Sequence, residues 1–147
     1  ICSVIVQGWL LRIVIPKFGA INCAYIGIST SLISFVGIAL AASGLELYLW
    51  CLVSALGGLT GPSLNSLLSN RVEQNAQGEL QGIVASMSSV AMIFGPLLMT
   101  QTFSFFTAAT APVYLPGSAF LAAAALTLFT LVIFTIQAPR FATKDSA

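Results

Sequence analysis

The sequence predicts an all-α, polytopic transmembrane helix bundle, on three observations. Of 147 residues, 58% are hydrophobic and only 6% are charged, against about 25% charged in a soluble domain. The apolar residues fall into long runs separated by short polar segments. All five Lys and Arg residues sit in just three of those segments. A β-barrel is excluded, because the runs are continuously apolar and far exceed a barrel strand of about 10 residues.

The elements follow in order. Residues 1–11 are uncharged and mostly apolar, ending at Arg12. Eleven helical residues cover only about 16 Å, half a bilayer core. This run reads as the last half of a span, and the chain as a fragment of a larger membrane protein. No basic region precedes the run, so no secretory signal is predicted. Phe18–Leu45 carries no charge, and a span over residues 20–42 fits, since about 20 residues suffice. Ser43-Gly44 breaks it and Glu46 marks a short turn. Leu47–Asn70 is again uncharged and predicts a span over 47–70. Arg71–Glu79 is a polar loop. Leu80–Pro139 then runs sixty residues without a charge, about right for two spans, 81–106 and 116–138. Their break belongs near Thr107–Gly117, where Thr107, Thr110, Pro112, Pro116 and Gly117 cluster. Pro116 suits a first helical turn, and Tyr114 an interfacial anchor.

The placement of the cations predicts orientation. Alternating spans put the Arg12/Lys17 loop, the Arg71 loop and the Arg140/Lys144 tail on one side. The Glu46 turn and the 107–117 connection fall on the other, with no Lys or Arg between them. Cationic loops stay cytoplasmic during insertion, so the C-terminus is predicted to be cytoplasmic.

Composition narrows the chemistry. Histidine is absent, which removes the commonest metal ligand and general base. No nucleophile–base pair, phosphate loop or metal-ligand spacing occurs, so no enzyme, metal or cofactor is predicted. No basic patch suits nucleic acid. Cys2, Cys23 and Cys51 all lie in apolar runs and read as free, buried thiols. No Asp, Glu, Lys or Arg falls in mid-span, where a charge usually signals ion coupling.

Proline is more telling. Gly61-Pro62 and Gly95-Pro96 fall inside the third and fourth spans. Proline removes a helical hydrogen bond and kinks the helix, so these pairs are candidate bends or gates, or static kinks. Gly57 and Gly61 are spaced for close helix contact, as are Gly82, Ser86, Ser89, Pro96, Thr100 and Ser104 along one face. Burying a side-chain amide in lipid without a partner is costly, so Asn65 and Gln101 should face a neighbouring helix or a watery cavity. Tyr25, Ser29 and Phe103 are further cavity-lining candidates.

The loops carry a resemblance. Gln7-Gly8-Trp9-Leu10 with Pro16-Lys17-Phe18-Gly19 resembles the inside loop after the eighth helix of major facilitator transporters. Gly57-Gly58-Leu59-Thr60-Gly61-Pro62-Ser63-Leu64 is similar to their tenth helix. Gln77-Gly78-Glu79-Leu80-Gln81-Gly82, Gly95-Pro96-Leu97-Leu98 and Tyr114-Leu115-Pro116-Gly117 resemble the following segments of the tetracycline-resistance type of drug:proton antiporter. The resemblance implies twelve helices in two six-helix halves and alternating access. It also implies proton-driven export of small amphipathic compounds such as tetracyclines, hence antibiotic resistance, in a bacterial inner membrane. On that pattern the chain supplies the end of helix eight through helix twelve. Its partners would be the lipid bilayer, the other, N-terminal half and a small-molecule substrate. Gly8, Arg12, Lys17, Gly19, Arg71, Gln77 and Gly78 match the inside loops and are gating candidates. The family pattern continues with charges after Phe18-Gly19, where this chain has Ala20-Ile21-Asn22. The contrasting class is a non-transporting structural or assembly subunit; seven further upstream spans with an intramembrane acid would exclude it.

Overall fold

The structure, a computed structural model, describes residues 19–108 and 113–142. Five α-helices follow one another: α1 (Ala20–Leu40), α2 (Gly44–Gly57), α3 (Thr60–Ser69), α4 (Gln77–Thr107) and α5 (Ser118–Ala142). A short 3-10 turn at Gln74–Ala76 leads straight into α4. In lipid every backbone group must be satisfied within its own segment, and the apolar runs comply by becoming helices. Four segments are long and apolar enough to cross a bilayer: Ala20–Leu40, Gly44–Ser69, Gln74–Thr107 and Ser118–Ala138. The chain is therefore an all-α, multi-pass membrane bundle. The first apolar run, Gly8, Arg12, Lys17 and Lys144 lie outside the described residues.

Local chemistry sets the helix ends. Gly19 precedes α1 with φ 78°, a left-handed backbone that favours glycine. Ser43 caps α2, its hydroxyl accepting from the Glu46 N–H at 3.3 Å. The Glu46 carboxylate reaches back to accept from the Ala42 N–H at 2.9 Å. The two bonds differ from a capping box in that the carboxylate takes the N–H of the residue before the cap rather than of Ser43 itself, and they give Glu46 a structural task in the tight α1–α2 turn.

α1 is the hub. It packs against α2, α3 and α5 and holds Cys23, Ala24, Gly27, Ile28, Ser34 and Gly37 buried. Its small residues let the backbones approach. A Cβ on Gly27 would lie 2.9 Å from the Thr60 amide nitrogen and 3.2 Å from the Thr60 Cα. A Cβ on Gly37 would run into the Trp50 ring, and one on Gly57 into the Ser31 hydroxyl. On the opposite flank Ala24, Ile28, Leu67 and Phe134 form a buried cluster with Tyr25, Leu64 and Leu131 around it. Gly117 abuts the Ala39 carbonyl, so the α4–α5 connection lies at the same end of the bundle as the α1–α2 turn. Arg71 and the end of α5 lie at the other end.

The third predicted span is two helices rather than one. α2 stops at Gly57, Gly58 and Leu59 form a turn, and α3 starts at Thr60. The Gly58 and Leu59 N–H groups donate to Ala55 and Leu56, three residues back. Pro62 explains the position: it has no N–H for the carbonyl four residues earlier, at Gly58, and its ring crowds that carbonyl. By contrast α4 runs unbroken through Gly95-Pro96. α4 begins at Gln77 and α5 at Ser118, so Pro116 sits in the turn before α5. Cys23 and Cys51 are free thiols. Cys51 is exposed rather than buried, because that face of α2 has no neighbour among the described residues.

Candidate functional site

The residues that matter for a membrane cavity are polar groups that lipid cannot satisfy. They fall in two places. The first is the junction of α3 and α4. Asn65 lies on the exposed face of α3, opposite the buried Ser63 and Leu67. The turn between the helices brings Gln81, on the first turns of α4, beside it. The Gln81 Nε2 donates to the Asn65 Oδ1 at 3.5 Å, a long and therefore weak bond. Both side chains keep free bonding capacity, since an amide offers two donors and two acceptor sites.

The second place is the far end of α4. Gln101, Thr100 and Ser104 line an open groove of about 470 Å³ with Leu97 and Phe105. Gln101 is twenty residues beyond Gln81, about 30 Å along the helix axis. The two candidate amides, Asn65 and Gln101, are thus not brought together: Asn65 stands beside the start of α4 and Gln101 near its far end. Between them Ser86 and Ser89 donate to the carbonyls of Gly82 and Ala85, at 2.8 and 2.9 Å. These hydroxyls are satisfied within α4 and tolerate either lipid or a cavity.

α4 itself differs from its neighbours. None of its described residues is buried. It touches α5 near one end, where the Leu115 N–H donates to the Phe106 carbonyl at 3.1 Å and the Ser118 hydroxyl to the Thr102 carbonyl at 3.4 Å. A thirty-one-residue helix with a face of small and polar residues is thereby left open along most of its length.

The other candidates fall elsewhere. Tyr25 stacks edge-on against Phe134, with centroids 4.8 Å apart at 71°, and so belongs to the α1–α5 contact. Ser29 is half-buried on α1. Gln77 and Gly78 form the exposed first turn of α4, and Arg71 is exposed in the turn before it, its N–H donating to the Leu68 carbonyl at 3.1 Å. Gly61 is open, with nothing within 4 Å of a Cβ, and Pro62 is half-buried. Among the described residues no cluster of His, Cys, Asp or Glu could hold a metal ion.

Two groups were not foreseen. Gln81 becomes Asn65's partner, and its only prior signal was the Gln-Gly-Glu-Leu-Gln-Gly stretch. The Thr60 and Ser63 hydroxyls are buried at the α2–α3 break with no hydrogen-bond partner. Nothing in the sequence marks them, because most membrane hydroxyls bond to their own helix, as Thr30 and Ser34 do here.

Comparison with known proteins returns a consistent set of relatives. The chain is 30% identical over 104 residues to the class C tetracycline resistance protein of Escherichia coli, covering 71% of this chain and 26% of that protein. It is 32% identical over 100 residues to the class G tetracycline resistance protein of Vibrio anguillarum, covering 68% of this chain and 25% of that protein. A shorter stretch of 63 residues is 38% identical to the class H tetracycline resistance protein of Pasteurella multocida. The chain thus spans about a quarter of the length of the class C and class G proteins. No family model matches, and no solved structure matches.

Proposed function

We propose, from the premise that this chain is a relative of the tetracycline-resistance proteins, that it forms one part of a major facilitator transporter exporting tetracycline-like amphipathic drugs. The sequence match to those proteins carries this reading. The open face of α4 supports it, because a helix with no buried residue needs a further surface, and its amides need water or substrate. On this reading α1 and α5 form the rigid wall of the half, while α3 and α4 present Asn65, Gln81, Thr100 and Gln101 to the substrate pathway. The remaining part of the transporter closes the cavity from the opposite side, as expected where sites lie at the interface of repeats.

Export would be by proton antiport with alternating access. The described spans hold no mid-membrane carboxylate, so the proton carrier is assigned to another part of the same protein. On this reading the Arg71 end faces the cytoplasm of a bacterial inner membrane, which the positive-inside pattern of the sequence supports. The exposed Arg71, Gln77 and Gly78 then lie on the cytoplasmic rim, where inside-gate contacts form. The test is a susceptibility panel on cells carrying the full reading frame. Raised resistance to tetracyclines, abolished by a proton uncoupler, supports the proposal. Unchanged susceptibility to every drug despite membrane insertion contradicts it.

A further inference from the structure

We infer that the cleft between α1 and α2 binds one phospholipid with a primary-amine headgroup, its acyl chain along α1 and its ammonium at Glu46. The inference depends on the chain being a membrane bundle, and not on any transported substrate.

The cleft has a volume of about 360 Å³ and lies against Leu32, Ile33, Val36, Leu40, Trp50 and Glu46. Every lining side chain is apolar or aromatic except the Glu46 carboxylate at one end. From Leu32 on α1 to Ala41 just past its end the cleft follows nine steps of the chain, about 14 Å of helical rise. Half of a bilayer's hydrocarbon thickness is about 15 Å. The cleft therefore runs from mid-membrane to the interface, the reach of one leaflet's acyl chain. Its floor is formed where the Trp50 ring lies over Gly37, a contact that a larger residue at 37 would prevent. Ile33 and Leu40 are 55% and 70% exposed, so the walls present apolar surface outward.

Charge selects the headgroup. Glu46 sits in the turn at the interfacial end of the cleft, and no Lys or Arg occurs from Phe18 to Asn70. One of its oxygens, Oε2, accepts from the Ala42 N–H, which fixes the carboxylate in place and leaves further lone pairs for an ammonium. An anionic headgroup would meet a carboxylate with no cation to offset it. A choline headgroup offers charge but no N–H donor. A primary ammonium offers both.

The test uses the full-length protein purified in mild detergent and titrated with phosphatidylethanolamine, phosphatidylcholine and phosphatidylglycerol, with bound lipid counted by native mass spectrometry. Phosphatidylethanolamine is expected to be retained over both others. Glu46→Gln should reduce its retention by about two- to fivefold, the range for a partly exposed ion pair, while Glu73→Gln at the opposite end leaves it unchanged. Val36→Trp, which fills the cleft, should remove the bound lipid without touching Glu46. Equal retention of all three lipids, or no effect of either Glu46→Gln or Val36→Trp, overturns the inference. A cysteine placed at Val36 that crosslinks to another helix of the same polypeptide, with no lipid bound, also overturns it, because the occupant is then protein.

Discussion

Gly27→Ala probes a tight backbone contact between α1 and the α2–α3 break. A Cβ at this position lies 2.9 Å from the Thr60 amide nitrogen and 3.2 Å from its Cα, with the Thr60 hydroxyl nearer still. A side-chain atom could rotate away, but backbone cannot. Relief requires α1 to retreat from the α2–α3 break by a few tenths of an ångström. A gap of 0.5–1 Å forfeits roughly a quarter to a half of each dispersion contact it opens. In a bilayer those contacts are the main force between helices, since lipid is as apolar as the side chains. The expected loss is about 1–3 kcal/mol, the usual cost of overpacking. Gly57→Ala meets the Ser31 hydroxyl, the Ser31 Cβ at 3.3 Å and the Gly27 carbonyl at 3.6 Å; rotation relieves the hydroxyl and only a small shift is needed for the rest, so its cost should be lower. Gly61→Ala meets nothing within 4 Å and should be neutral or slightly stabilising, because alanine restricts the unfolded chain. Thermal unfolding of the full-length protein in detergent, followed by thiol accessibility, ranks the three. A Gly27→Ala protein as stable as Gly61→Ala would refute the packing described at the break.

Other outcomes follow from the same structure. Thr60→Val removes a buried hydroxyl without a partner and keeps its shape, so stability should hold or rise; a loss above about 1 kcal/mol would mean that the hydroxyl is satisfied after all. Ser43→Ala removes the cap on α2 and should cost about 0.5–2 kcal/mol in the same unfolding assay. Asn65→Ala should change the drug profile more than the expression level, and a variant that fails to accumulate would instead mark Asn65 as a packing residue. Single cysteines at Ser43 and Asn75, in a background lacking the native cysteines, should label from opposite sides of the membrane with an impermeant thiol reagent. Labelling from the same side would break the predicted topology.

The bundle was readable because charge is so scarce. The charge-free runs Phe18–Leu45, Leu47–Asn70 and Leu80–Pro139 leave no other choice than helices in lipid. The break in the third span was half readable. Gly61-Pro62 announces a discontinuity, but its site lies upstream at Gly58, because proline's missing N–H is felt by the carbonyl one turn earlier. Ser43-Gly44 and Glu46 announce the turn after the first described span, while the hydrogen bonds by which Ser43 and Glu46 hold it emerge only from the structure. The pairing of Asn65 with Gln81 could not be read, since it depends on how the Arg71–Ala76 turn sets α3 beside α4. Tyr25 illustrates the reverse difficulty: its spacing permits a cavity position, whereas its ring meets Phe134 from a helix more than a hundred residues later. Such contacts depend on which helices are neighbours, and helical spacing alone does not encode that.

Drug movement itself is the most direct measurement. Inverted membrane vesicles carrying the full-length protein, energised to build an inward proton gradient, should accumulate labelled tetracycline and release it when an uncoupler is added. The same vesicles with Asn65→Ala and Gln101→Ala should insert normally and accumulate less. Accumulation no greater than in vesicles without the protein, when insertion is verified, would contradict the assignment of this chain to a proton-driven drug exporter.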